Sequence, residues 1–242
     1  MEFRDILRDL VNTTSPLAFD TIVLGQTDDN KITMESYTND KTVVMKAVSN
    51  ESITDMNGVE NFGLSNLNML QGLLSLNTYK TESTSITPVL KGNQIQKLSF
   101  SSDDSSTDFV VLATAALPKQ PKLIDKGFDV QVTPSPSKVN ELKSYAGVFK
   151  TLSEKVTPYT DDNQLRFKVG NAAKNNHGGS IAFAPTKEEL TEGYGYSVDR
   201  LMQTLSRINN CKSSQISISS KGMMAITIDT GVCQYSFYMM GA

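Results

Sequence analysis

SVDRLMQTLSRINNC, residues 197–211, is the stretch from which the rest of the chain is best interpreted. Its apolar residues recur at helical spacing and form one stripe made of Val198, Leu201, Met202, Leu205 and Ile208. At about 100° per residue, Arg200 and Arg207 lie within roughly 20° of each other and nearly opposite that stripe. The pattern predicts a helix that buries one side and exposes two guanidinium groups on the other. Whether these arginines are merely solvated or belong to a functional surface depends on whether the chain repeats the arrangement.

The composition limits the classes of protein to consider. A chain of 242 residues suffices for one large domain or two ordinary ones, and its 23 basic and 26 acidic residues give a net charge of −3. This balance argues against a protein that holds nucleic acid through overall positive charge. Cys211 and Cys233 lie far outside any metal-binding spacing and are expected to be reduced thiols. No signal pattern or membrane-spanning run is present, so a soluble cytoplasmic protein is expected.

Periodicity and turn residues predict four helices among many short strands. The helices are expected at residues 3–12, 64–77, 136–152 and 197–211. Ser65 is the expected N-cap of the second helix, and Ser135-Pro136 the expected start of the third. Strands are expected at 18–24, 31–37, 41–48, 85–90, 94–100 and 107–114, and again at 128–132, 164–169, 180–184, 215–219, 223–229 and 232–239.

The two halves of the chain repeat one pattern. Helix starts near residues 3 and 65 correspond to starts near 137 and 197, at offsets of 134 and 132. The turns at Lys91-Gly92 and Lys221-Gly222 correspond at an offset of 130. The prediction is an α+β protein with domains 1–116 and 127–242 and a proline-containing connector, 117–126, although a single α+β domain would also give alternating elements. Open sheet edges would invite pairing with another copy, and a head-to-tail contact can close a ring.

A motif in the second predicted helix points to a known family. Residues 67–76 read LNMLQGLLSL, and polar residues and the Lys91-Gly92 hairpin follow. This order, continued by the 117–123 connector, resembles the DNA polymerase sliding clamps of T-even-type phages, which carry an L-x-x-(L/F)-x-G-(I/L)-L-S-L run. The resemblance covers the whole chain in architecture but about a dozen residues in motif. It implies a closed homotrimer whose helices surround duplex DNA, and it implies no cofactor or bound metal.

The charges of the predicted helices agree with that resemblance. With the first segment counted as 2–12, the four helical segments hold seven basic and five acidic residues, so they sum to +2 and the remainder of the chain to −5. A mildly positive lining permits weak contacts with phosphates, and a ring retains DNA by encircling it. The segment at 64–77 has no charge, which departs from a basic lining. The expected DNA-facing residues are Arg4, Arg8, Lys138, Lys143, Lys150, Arg200, Arg207 and Lys212.

A clamp must also bind other proteins. The resemblance implies short hydrophobic peptides of the replicative polymerase and clamp loader as partners; it also suggests late-transcription factors, for which no residue here argues. The peptides are expected beside the connector and the C-terminal strand, at Leu117, Pro118, Leu123, Ile124, Phe237, Tyr238, Met239 and Met240. The same residues can equally complete the core of the second domain.

Catalytic chemistry is not expected. His177 is the only histidine and lies in a polar turn, while 103–104, 161–162 and 188–189 are carboxylate pairs in loops that favour solvated turns over acid–base catalysis. The function expected is therefore that of a DNA polymerase processivity factor in the cytoplasm of an infected host cell. The alternative is a β-rich virion or baseplate assembly protein. A carbohydrate-binding module is less favoured, because the loops offer mainly Tyr194 and Tyr196 as aromatic residues.

Overall fold

The computed structural model describes residues 1–53, 56, 58–81, 83–123, 127–170, 177–191 and 193–241. The chain forms two compact units. The first contains Met1–Pro121 and Gly231–Tyr235, and the second contains Lys122–Thr230 and Ser236–Ala242. The sequence did not predict that residues near the C-terminus would belong with the first unit. In that unit Asn50 N donates to Val232 O at 2.8 Å.

The first unit has two helices and two antiparallel groups of strands. In chain order they are α1 (Phe3–Thr14), β1 (Thr21–Gln26), β2 (Lys31–Tyr37), β3 (Val43–Ser52), β4 (Phe62–Ser65), α2 (Leu67–Ser75), β5 (Ser85–Lys91), β6 (Gln94–Ser101) and β7 (Ser106–Val110). One group has the strand order β4-β1-β2-β3 and the other β5-β6-β7. Helix α1 buries its apolar side. In β1 and β2 buried residues alternate with partly exposed ones, so the buried side chains lie on one face of the sheet.

The second unit has the same kinds of elements. They are β8 (Val130–Val132), α3 (Pro136–Phe149), β9 (Lys155–Asp161), β10 (Gln164–Gly170), β11 (Gly178–Pro185), β12 (Tyr196–Ser197), α4 (Val198–Leu205), β13 (Ser213–Ile218), β14 (Met223–Asp229) and the part of β15 (Cys233–Met240) from Ser236 onward. One sheet has the order β12-β9-β10-β11, and β8, β13, β14 and the end of β15 form the second group. Both cysteines are free thiols, as expected.

The repeat is visible in the topology. After the first helix of each unit come three longer strands, a short fourth strand, the second helix and three more strands. The short strand pairs in both units with the first strand of its sheet, so the orders β4-β1-β2-β3 and β12-β9-β10-β11 are equivalent. The predicted α+β fold with two similar halves is confirmed.

The start of α2 differs from the prediction. Leu64 and Ser65 do not begin the helix but pair with Ile22 and Thr21 in the sheet. The N-cap position belongs to Asn66, which has φ 53° and makes no side-chain capping bond. Leu64 is completely buried, so pairing with β1 outweighs the local capping preference of serine. The helix therefore covers residues 67–75 instead of 64–77.

Two strands of the second unit were not predicted. Strand β9 contains Pro158, which argues against a central strand when only the sequence is considered. Its neighbour β12 pairs only with Val156 and Lys155, so the missing N–H of Pro158 interrupts no bond to β12. The strand β12 itself is two residues long and too short to produce a periodic pattern.

Helix α4 is shorter than predicted. Ser197 caps it by accepting a bond from Arg200 N at 3.4 Å, and it ends after Leu205, with a single 3-10 turn at Ile208–Asn210. Met202 is only partly buried, and Thr204 takes a buried position instead. The hydroxyl of Thr204 can be buried because it donates to Arg200 O at 2.9 Å.

Candidate nucleic-acid interface

Arg4 and Arg8 lie one turn apart on α1, but both bind the backbone of their own unit. Arg4 Nη1 donates to Thr81 O at 3.0 Å and to Thr84 O at 2.9 Å, and Arg8 Nη2 donates to Tyr79 O at 2.7 Å. Arg4 Nη2 also contacts Glu2 Oε2 at 3.1 Å, and the Arg4 side chain is only 12% exposed. The sequence correctly placed both residues outside the apolar stripe but gave no sign of these backbone partners.

Helix α2 offers a neutral surface. Its buried residues are Leu70 and Leu74, and its exposed positions include Asn68, Met69 and Gly72. The helix contains no ionisable side chain. This agrees with the uncharged segment in the sequence and excludes α2 as a source of charge-assisted bonds to phosphate.

Helix α3 carries three lysines at the edges of its buried stripe. Lys143 and Lys150 lie on one edge, within about 20° of each other, and Lys138 lies near the other edge. Lys138 Nζ contacts Glu141 at 2.7 Å, and Lys150 Nζ contacts Asp199 of α4 at 2.6 Å. These pairs are solvent-exposed, so each is worth at most about 1 kcal/mol and can exchange for a phosphate contact. The side chains at the centre of the outer face of α3 are small and uncharged.

Helix α4 and the segment after it supply the remaining basic residues. Arg200 Nη1 is 3.4 Å from Gln203 Oε1, and Arg207 follows the end of the helix. Partial burial lowers the pKa of the Arg207 guanidinium from its usual value, because desolvation disfavours its charge. Lys212 is exposed, and its backbone N–H bonds Asp229 O at 2.7 Å. Helix α3 also contacts the 3-10 turn that follows α4, where Asn209 Nδ2 donates to Asn140 Oδ1 at 2.9 Å.

The residues predicted to bind partner peptides have different environments. Leu117 packs so closely on Gly63 that a Cβ at Gly63 would come within 2.9 Å of Leu117 Cδ2. Pro118 and Leu123 are partly exposed, and Ile124 lies outside the described residues. Phe237 and Met239 are buried core residues of the second unit, which matches the alternative interpretation for those two positions. Tyr238 is partly exposed and Met240 is 48% exposed. The peptide site stays a prediction.

A contact around Tyr194 was not predicted. Gly241 N donates to Gly222 O at 2.7 Å, and the Tyr194 side chain lies against both glycines. A Cβ would come within 3.1 Å of the Tyr194 ring at Gly222 and within 2.5 Å of Tyr194 Cβ at Gly241. Gly222 also has φ 83°, a conformation that favours glycine. These contacts fix the backbone next to Met240, and neither glycine shows this role in the sequence alone.

A polar hollow of about 280 Å³ lies in the second unit, at residues 160–163 and 186–190. It is lined by both predicted carboxylate pairs of this region, and Glu188 Oε2 accepts a bond from Gln131 N at 2.6 Å. Within the described ranges, no group of three or more His, Cys, Asp or Glu residues is arranged to hold a metal ion. No helix in that part of the chain is long and apolar enough to cross a membrane.

Comparison with known proteins identifies the fold. No family model matches the sequence, and no curated protein matches it. Solved structures match over the full length: A. fulgidus PCNA bound to the C-terminal region of FEN-1 has a TM-score of 0.71 at 10% identity, covering 100% of this chain and 96% of that chain. PCNA from Thermococcus kodakaraensis has a TM-score of 0.70 at 14% identity, with coverages of 100% and 98%. PCNA from Entamoeba histolytica has a TM-score of 0.68 at 11% identity, covering 99% of this chain and 96% of that chain. The chain therefore has the PCNA-type sliding-clamp fold.

Proposed function

We propose that this chain is a DNA polymerase processivity factor: a homotrimeric ring that encircles duplex DNA, slides on it and tethers the replicative polymerase. The observation that carries the proposal is the sliding-clamp fold, matched from end to end of the chain. The duplicated topology supports it, because two equivalent units in each of three copies supply the six domains of such a ring. This role acts by linkage and requires no catalytic group.

Strand edges in different units support ring closure. Strand β7 is the outer strand of its group, and Val110 on it is 72% exposed. Strand β11 is an outer strand of the sheet in the second unit. An outer strand presents unpaired backbone groups that another chain can bind. Pairing of β7 in one copy with β11 in the next would be head-to-tail, and a head-to-tail contact closes a ring if the rotation permits.

The charge distribution supports sliding over tight binding. The whole chain has a net charge of −3, so DNA is not held by an excess of positive charge. The helical segments sum to +2 and the remainder to −5, so DNA is favoured on the helices and repelled elsewhere. Contacts this weak are screened at physiological salt, and a closed ring retains DNA without them.

The proposed partners are duplex DNA of any sequence, the polymerase and a clamp loader, with late-transcription factors as a further proposal. A. fulgidus PCNA binds the C-terminal region of FEN-1, and we propose that this chain similarly binds peptide segments near Leu117 and Met240. PCNA2 and PCNA3 of Sulfolobus tokodaii form a complex, so a clamp can also assemble from different chains. The T-even-type phage origin and the host-cell cytoplasm as location rest on the 67–76 motif.

Light scattering and DNA retention test the proposal. The purified chain should have a trimer mass at micromolar concentration and should co-elute with nicked circular plasmid in gel filtration at low salt. Cutting the plasmid to a linear form should release it, because a ring slides off free ends. A monomer mass at every concentration, together with equal retention on circular and linear DNA, would contradict the proposal. That result would favour the assembly-protein alternative instead.

A further inference from the structure

The two arginines of α1 hold one segment of the first unit in place. Arg4 and Arg8 donate three bonds to the carbonyls of Tyr79, Thr81 and Thr84, which lie on the connection between α2 and β5. We refer to the described residues 79–81 and 83–84 as the 79–84 segment. Bonds from a charged donor to carbonyl groups are stronger than neutral bonds. The arginines therefore bridge α1 to a segment more than seventy residues away.

The 79–84 segment is itself tied to the neighbouring sheet. Tyr79 is 1% exposed, and its hydroxyl donates to Thr107 Oγ1 at 2.8 Å and lies 3.0 Å from Ser105 Oγ. The Tyr79 ring also contacts Phe100 of β6, at a centroid distance of 5.6 Å. The buried Tyr79 anchors one end of the segment, and the guanidinium groups of Arg4 and Arg8 bind its carbonyls. Both arginines therefore stabilise the position of this segment.

Little positive charge remains for DNA on the helices of the first unit. Residues 2–12 contain Arg4 and Arg8 against Glu2, Asp5 and Asp9, a balance of −1. Helix α2 contributes no charge, and Lys80 after it adds one exposed positive charge. Asp9 in turn accepts a bond from the hydroxyl of Tyr235 at 2.8 Å. A phosphate approaching residues 2–12 would meet three carboxylates and two guanidinium groups.

The helical segments of the second unit carry a net positive charge. Residues 136–152 and 197–211 contain five basic residues and two acidic ones, a balance of +3. Both carboxylates, Glu141 and Asp199, are exposed partners of lysines. Surface pairs of this kind are weak, so their lysines can turn to a phosphate at little cost. Lys212 adds one further exposed positive charge.

We infer that the second unit supplies most of the electrostatic contacts with the duplex, and that Arg4 and Arg8 act as structural clips for the 79–84 segment. This inference rests on the proposed clamp function and assigns its DNA surface to Lys138, Lys143, Lys150, Arg200, Arg207 and Lys212. Each copy of the chain then presents one neutral and one positive helical surface to DNA. Phosphate contacts spaced in this way are fewer than in a uniformly basic lining, and the salt dependence of binding is correspondingly shallow.

The salt dependence of DNA binding tests the assignment. The probe is a fluorescently labelled nicked circular plasmid, which has no free duplex ends, titrated with full-length protein at several salt concentrations. Each phosphate contact contributes about 0.9 to the slope of log K against log salt. Lys138→Gln with Lys143→Gln should lower the magnitude of the slope by about 1–2, whereas Arg4→Lys with Arg8→Lys should leave it unchanged.

Matched controls separate position from charge. Lys155→Gln with Lys168→Gln removes two lysines from β9 and β10, on the sheet face opposite the buried side chains, and should not change the slope. The Arg4→Lys, Arg8→Lys variant keeps both charges but loses the forked geometry, so it should lower Tm by roughly 2–8 °C while DNA binding persists. Arg4→Gln with Arg8→Gln should lower Tm as well, again without changing the slope.

The outcomes are distinguishable. If the two glutamine pairs on α1 and α3 lower the slope equally, or if only the α1 pair does so, the inference is overturned and the clamp function stands. An arginine-to-lysine variant with unchanged Tm also overturns the structural role of Arg4 and Arg8. Wild-type protein that binds no nicked circular plasmid at low salt overturns the proposed function, and with it the inference.

Discussion

Replacing Gly179 by alanine should destabilise the second unit because of one side chain of α3. Gly179 lies in β11, where it pairs with Val169, and its backbone conformation is open to other residues. A Cβ at this position would fall inside van der Waals contact of Tyr145 Oη and lie 3.3 Å from Tyr145 Cζ. The Tyr145 ring also packs on Phe149, with centroids 5.1 Å apart, which restricts its movement away from the strand.

The size of the effect follows from that geometry. Overpacking costs about 1–3 kcal/mol, and the lower half of this range is expected because the clash involves the outer end of a partly exposed side chain. For a chain of this length, a loss of about 1–2 kcal/mol lowers Tm by roughly 2–8 °C. Urea unfolding should show a lower midpoint with an unchanged m-value. Protein concentration must be fixed, because association raises the apparent stability.

Two further variants isolate the cause. In a Tyr145→Phe background the hydroxyl is absent, so Gly179→Ala should cost less than about 0.5 kcal/mol. Gly147→Ala, on α3 with no atom within 4 Å of the new Cβ, should instead stabilise the chain by about 0.5–1 kcal/mol. The same loss for Gly179→Ala in both backgrounds would refute the reasoning, because the cost would then not arise from Tyr145 Oη.

Four other variants have defined expectations. Burial raises the pKa of the Tyr235 hydroxyl well above its ordinary value of 10.0, so the folded state keeps its proton and stability falls as the pH rises above about 10. Urea unfolding between neutral and alkaline pH should show this decline weakened in Tyr235→Phe; an identical decline would exclude Tyr235 as a source. Gly72→Ala, in the exposed middle of α2, should raise Tm by an amount corresponding to about 0.5–1 kcal/mol, and a lower Tm would show a contact absent from this structure. Leu98→Ala in β6 should cost about 2–5 kcal/mol because Leu98 is completely buried, whereas Leu90→Ala at an exposed position of β5 should cost much less; equal losses would contradict the described packing.

Several local features could be predicted because they depend on neighbouring residues. The alternation in β2, the capped start of α3 at Ser135-Pro136 and the turn at Gly92, with φ 63°, follow from side-chain period, capping and backbone freedom. The repeat was visible from matching offsets. Ser65 failed as a predicted cap because a strand pairing with β1, forty residues earlier in the chain, was energetically more important.

The sequence predicted on which side of a helix the residues of the candidate site lie, but it did not predict which groups they bind. The sequence by itself determined that Arg4 and Arg8 lie outside the apolar stripe of α1 and that α2 is uncharged. The predicted common helical face of Arg200 and Arg207 stays a prediction, because α4 ends at Leu205. Only the tertiary structure decided how the α1 arginines are used, because the carbonyl partner of Arg8 is 71 positions away in sequence. Likewise, only the folded core decided that Phe237 and Met239 are buried while Met240 is exposed. Periodicity assigns a residue to a side of its own helix or strand, but the groups that meet that side come from other parts of the chain.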